Sequence, residues 1–120
     1  YEITCREWSS DVCSSDLNAL VLPEVMHFNM LVRMERLRDV AHAFEQRIEN
    51  LDPKDAAYKG IEGVKELIED IGLPTRLRDV GAQKSDFEEM AKQALQDPTL
   101  TTNPRTVRIE DIIEVFERSY

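Results

Sequence analysis

From Asn18 to the C-terminus, apolar residues recur at the three- and four-residue spacing of helices, and polar stretches rich in Pro, Gly or Thr separate the repeats. The first predicted helix covers 18–29. Its apolar residues Leu20, Val21, Leu22, Val25, Met26 and Phe28 occupy more than one face, which predicts burial. Pro23, inside it, marks either a kink or the first turn. The second predicted helix runs over about 33–50, with a stripe of Met34, Leu37, Ala41, Phe44 and Ile48. The third opens at Asp52-Pro53. An Asp side chain accepts bonds from free backbone N–H groups at a helix start, and Pro suits the first helical position. Ala57, Ile61, Val64, Ile68 and Ile71 then form its stripe, and Gly72 followed by Pro74 ends it. Gly60 and Gly63 lie inside this helix, where they permit close approach of a neighbour.

A short turn is predicted over 77–80, closed by Gly81. Ser85 with Glu88 three residues on forms a capping-box pattern for a fourth helix to about Gln96, with Phe87, Met90 and Ala94 inward. Residues 97–106 hold two prolines and four threonines and read as a loop, with Asn103 in an Asx-turn before Pro104. A fifth helix follows over about 109–119, with Ile109, Ile112, Ile113 and Phe116 on one face. No segment alternates with period two. The fold class is therefore all-α, a helical bundle or part of one.

Residues 1–17, YEITCREWSSDVCSSDL, break this pattern. They hold the only Trp and both cysteines, repeat Ser-Ser-Asp, and sustain neither a helical nor a strand period. The string SSDVCSSDL resembles a translated sequencing-adapter sequence. The structural alternative is a short disordered tail. Either way, the segment is set apart from the domain-forming residues 18–120. Cys5 and Cys13 have no supporting His or second Cys pair, so a metal or redox site is not read from them.

The net charge of −9 argues against nucleic acid and anionic membranes as partners, because both require a basic face. No apolar run approaches the roughly 20 residues of a membrane helix, and no signal-peptide pattern is visible. Two cysteines make a disulfide framework improbable. These features point to the cytoplasm.

Chemistry is sparse. His27 and His42 stand on different predicted helices, without paired-His spacing, whereas a carboxylate-and-His metal site needs three or four converging ligands. The four glycines form neither a dinucleotide fingerprint nor a P-loop. Glu62, Glu66, Glu69 and Asp70 sit at helical spacing and read as a solvated face. No serine or cysteine stands as a credible nucleophile.

Three segments carry a resemblance. NALVLPEVMHFN (18–29), IGLPTRLRDVG (71–81) and MAKQALQDPTLTTNPR (90–105) with IEDII (109–113) resemble, in this order, late segments of the iron-containing alcohol dehydrogenase family. The resemblance implies part of the C-terminal helical domain of a dehydroquinate-synthase-like, iron-containing alcohol dehydrogenase fold. It implies a parent protein that binds NAD(P) in a separate α/β domain and holds Fe²⁺, or Zn²⁺, with one Asp and three His. The metal there polarises a small alcohol or aldehyde for hydride transfer. Homo-oligomers are usual in such parents. The last metal-binding His of the family's HGxxNA pattern falls on Ser14, and His27 is not a ligand position. No catalytic, cofactor-binding or metal-binding residue therefore carries over, and neither group is expected to bind this chain. What carries over is a pocket-lining role for Thr99, Thr102 and Asn103, in the loop that approaches the substrate and nicotinamide cleft. The competing reading, from the capped helices and continuous stripes, is a free-standing helical protein-interaction module.

Overall fold

A computed structural model describes residues 14–120, and all of their regular structure is helical. The α-helices are α1 (Ser14–Ala43), α2 (Pro53–Asp70), α3 (Phe87–Leu95) and α4 (Ile109–Arg118), with short 3-10 turns at Leu77–Val80, Lys84–Asp86 and Pro98–Thr102. The all-α expectation holds among the described residues. Of the segment 1–17 set apart above, residues 1–13 lie outside them, whereas 14–17 are helical and open α1, with Leu17 packed against the core.

The first two predicted helices are one helical run, broken at Arg33, whose backbone (φ −141°, ψ 31°) is not helical. Contacts with α2 show how sharp this break is. Before it, His27 meets Tyr58 and Glu24 meets Lys65, so α1 and α2 run in opposite directions. After it, Leu37 and Ala41 lie against Gly60, Phe44 against Gly63 and Gln46 against Glu66, so the chain runs alongside α2 in the same direction. Both halves of α1 thus pack on one partner helix. Pro23 neither kinks nor starts α1, because its backbone stays helical. The predicted extension to Asn50 is cut short at Ala43, after which Glu45 takes a left-handed conformation (φ 55°) that a helix does not tolerate.

Asp52 and Pro53 begin α2 as expected, with Asp52 Oδ1 accepting the Asp55 N–H at 2.8 Å. The helix ends at Asp70. Gly72 (φ 74°) then turns the chain, and the Leu73 N–H donates to the Ile68 carbonyl at 3.1 Å. This arrangement leaves Ile71 60% exposed, so it leaves the predicted stripe.

Two apolar clusters form the core. One joins Met30 and Leu37 of α1 to Ala57 and Ile61 of α2. The other joins Leu20 to Leu77, Val80, Ala82 and Phe87, with Phe116 and Tyr120 packed on it. Each fully buried aliphatic or aromatic side chain of this kind contributes roughly 1.5–3 kcal/mol. The Phe87 ring lies 5.7 Å from both Phe116 and Tyr120, tilted on the first and edge-on to the second. The Leu77 N–H donates to the Ser119 carbonyl at 2.7 Å, which ties the predicted turn to the end of α4.

The Ser85–Glu88 capping box is not formed. Lys84–Asp86 is a 3-10 turn, and the Ser85 hydroxyl donates to Asp86 Oδ1 at 3.0 Å instead. At α4 the Arg108 N–H donates to Asp111 Oδ2 at 2.8 Å, a cap that the apolar pattern does not reveal.

Candidate functional site

The predicted loop is partly ordered by its own side chains. Asp97 Oδ1 accepts from the Thr99 N–H at 2.8 Å and from the Thr99 hydroxyl at 2.6 Å. The Asx-turn therefore stands at Asp97, with Pro98 opening the 3-10 turn, and not at Asn103. The Thr102 hydroxyl donates to the Thr99 carbonyl at 2.7 Å. Thr99 and Thr102 are exposed, while Asn103 is half-buried and faces α1. The structure thus brings the two threonines together on the outer side of the loop and turns Asn103 inward.

Beside this loop is a cleft of about 360 Å³ between the first half of α1, the start of α2, and α4. His27 stands at its centre. Arg118 Nη1 lies 3.1 Å from His27 Nδ1, and a guanidinium only donates, so Nδ1 accepts. The ring proton then sits on Nε2, which donates to the Tyr58 hydroxyl at 3.2 Å. Three helices meet at this one imidazole. The Arg118 Nη2 also donates to Glu114 Oε1 at 2.6 Å. On the loop side, Arg105 Nη1 donates to the Phe28 carbonyl at 2.9 Å, and its guanidinium carbon lies 4.0 Å from the centroid of the Phe28 ring.

The charges of the cleft are largely answered within the protein. Its cations Lys54, Arg105 and Arg118 are matched in number by Glu24, Asp111 and Glu114. Glu24 is held by Lys65 at 3.0 Å, and Asp111 caps α4. No excess of one sign remains to attract an ion. The ionisable groups with resolved shifts lie elsewhere, on the solvent side of α2 and α3. A hydrogen bond and the nearby charge of Lys92 hold the Glu88 carboxyl below its ordinary range, and the same pair raises Lys92. Glu62 raises Lys59 in the same way.

The described residues do not fit an iron site. No three of their His, Cys, Asp or Glu side chains come together in a way that could hold a metal ion. His27 is committed to Tyr58 and Arg118, and His42 is exposed near the end of α1. No described helix is long and apolar enough to cross a membrane.

Tyr58, Arg118 and Asn29 escape a reading of the sequence as site residues. Tyr58 and Arg118 sit on helix faces that pattern alone assigns to solvent. Asn29 stands inside α1 among apolar neighbours, and nothing local announces its partner 74 residues away.

Comparison with known proteins places the chain. A family model described as "Fe-containing alcohol dehydrogenase family, C-terminal" matches residues 11–120. The chain is 36% identical over 103 residues to a 1,3-propanediol dehydrogenase of Klebsiella pneumoniae, covering 86% of this chain and 27% of that protein. It has the same identity and coverage with a lactaldehyde reductase of Escherichia coli (strain K12). A crystal structure of 1,3-propanediol oxidoreductase superimposes with a TM-score of 0.88 at 34% identity, covering 92% of this chain and 29% of that one. The chain therefore spans about 27% of the length of these curated relatives.

Proposed function

The chain belongs to the Fe-containing alcohol dehydrogenase family, within its C-terminal helical region, and on that premise we propose that it serves as the helical end of an iron-dependent, NAD(P)-linked enzyme that interconverts small alcohols with aldehydes or ketones. In this reading residues 18–120 are the native part of the domain and 1–17 are foreign to it. The family match begins at residue 11, so Asn18 as the boundary is our own reading of the composition change.

The observation that carries the proposal is the meeting of two resemblance-bearing segments in space. The end of NALVLPEVMHFN and the Asn-Pro-Arg of the loop are joined through Asn29, Asn103, Phe28 and Arg105. The role we assign this chain is to present the loop with Thr99, Thr102 and Asn103 as one wall of the substrate pocket. No step of proton or hydride transfer is assigned to its side chains. The metal and nicotinamide belong to the rest of such an enzyme, as do the homo-oligomeric state, the small alcohol or aldehyde substrate and the cytoplasmic setting.

Against the alternative of a free-standing module stands the exposure of Leu31 (66%), Leu22 and Val32 on α1. Apolar residues of this size left open favour a surface that packs on further polypeptide. The test is metal analysis with an alcohol-dependent NAD(P) reduction assay on the purified 18–120 chain. We expect neither bound iron nor turnover. Stoichiometric iron would sink the reading of where the ligands lie. Clean genomic reads that place no HGxxNA-encoding frame before Asn18 would sink the dehydrogenase reading itself.

A further inference from the structure

Asn29 and Asn103 form a reciprocal amide pair. Asn29 Nδ2 donates to Asn103 Oδ1 at 2.8 Å, and Asn103 Nδ2 donates to Asn29 Oδ1 at 3.0 Å. Asn103 Nδ2 also donates to the Arg105 carbonyl at 2.6 Å. This third bond fixes the sense of the pair, because a flipped Asn103 amide would set two oxygens against each other. Arg105 completes the attachment through the Phe28 carbonyl and the face of the Phe28 ring. The threonines of the loop bond along the chain from this point. Thr102 bonds to Thr99, Thr99 bonds to Asp97, and Thr99, Thr101 and Thr102 are all exposed. Leu100 alone of the apolar residues in the segment is partly buried, so apolar packing is a minor part of what places it. The side-chain hydrogen bonds between the loop's Asn-Pro-Arg end and α1 are those of Asn103 and Arg105 to Asn29 and Phe28.

We infer that Asn29 is a positioning residue, which sets the place of the Thr99–Asn103 segment by holding the Asn103 amide. The importance of this for substrate rests on the pocket-lining reading above, but the attachment itself is tested without it. Asn29→Asp keeps the side-chain volume and removes both donors, and the introduced carboxylate faces Asn103 Oδ1. Asn29→Ala removes the pair outright.

Residue-resolved hydrogen exchange on the 120-residue chain at neutral pH supplies the measurement. We expect both variants to lower the protection of the Thr99 and Asn103 amides on the order of 10-fold, one hydrogen bond's worth. Ala57 and Ile61 in α2 should stay within about twofold of wild type on the same scale. Asn29→Ala with Asn103→Ala should expose the loop no further than Asn103→Ala alone, since the Asn29 bonds are already lost there. Protonation supplies a rescue. As pH falls through the ordinary carboxyl range near ~4, the Asn29→Asp side chain regains a donor, and its loop protection should return towards a wild-type control measured in parallel. Unchanged Thr99 and Asn103 protection in Asn29→Ala overturns the inference. So does an equal loss at Ala57 and Ile61, which would make Asn29 a general stability residue. Absence of turnover or iron bears on the dehydrogenase reading and leaves this result untouched.

Discussion

The seam between α1 and α2 and the corner formed by Phe87, Phe116 and Tyr120 achieve burial by opposite means. At the seam the backbones approach until only small residues fit: Gly60 lies against the Leu37 carbonyl, and Ala41 and Ala57 are fully buried. At the corner large side chains make the contact, with the Phe87 ring 5.7 Å from those of Phe116 and Tyr120. One region tolerates no added atoms and the other no lost ones. Hydrophobicity alone does not distinguish them; shape does.

This contrast is open to direct attack. The largest effect is expected at the corner, where Phe87→Ala removes a ring that is 97% buried by its 3% exposure and leaves a cavity. A loss of about 3–5 kcal/mol in denaturant unfolding is expected. A loss below about 1 kcal/mol would show that the corner collapses to fill the gap, which the comparison denies. At the seam the sign of the change reverses. Gly60→Ala adds one methyl whose carbon would collide with the Leu37 carbonyl oxygen, which cannot move without α1. Overpacking of this kind costs roughly 1–3 kcal/mol. Gly63→Ala meets the base of the Phe44 side chain, Cγ at 2.8 Å and Cβ at 3.0 Å, where a turn of the ring frees only part of the room; with no backbone atom among its nearest obstacles, it should still cost less than Gly60→Ala in the same assay. Equal costs would mean that the seam is set by side chains and not by backbone approach.

The smallest effect tests whether surface charge holds the corner at all. Glu88 and Lys92 pair at 2.8 Å on the outer face of α3. The carboxyl of Glu88 is lowered and the ammonium of Lys92 raised, so the contribution of the pair is fully present near neutral pH. It fades as pH falls through the lowered carboxyl range or rises through the raised ammonium range. Glu88→Gln should lower the neutral-pH melting temperature only slightly and remove the slight acid dependence. A marked drop at neutral pH would give charge a role in the corner that the packing does not assign to it.

The sequence makes the seam easier to foresee than the corner or the cleft. Gly60 and Gly63 inside an otherwise periodic helix announce close approach, and Asp52-Pro53 and Gly72 mark the ends of α2 by local chemistry alone. The break near Arg33 is not announced by composition: the apolar Met30-Leu31-Val32 runs straight into it, and no Gly or Pro stands there. Its direction is not visible, because it is set by which face of α2 each half finds. The capping pattern at Ser85 misleads, since a 3-10 turn places the hydroxyl on its neighbour instead. Of the site, the loop with Thr99, Thr102 and Asn103 can be located from its composition and its family resemblance. Its attachment to Asn29 and the junction at His27 depend on partners 31 to 91 residues away, beyond the reach of any local pattern.

The reversal at Arg33 also bears on the order in which the chain assembles. Because both halves of α1 lie on α2, the side-chain bonds from α1 and the residues just after it to α2 span only 20 to 41 residues. Those that fasten the loop and α4 to α1 span 74 to 91. The entropy of closing a loop rises with the logarithm of its length. An α1–α2 hairpin is thereby the cheaper nucleus, and the contacts around His27 and Asn29 close onto a surface that is already folded.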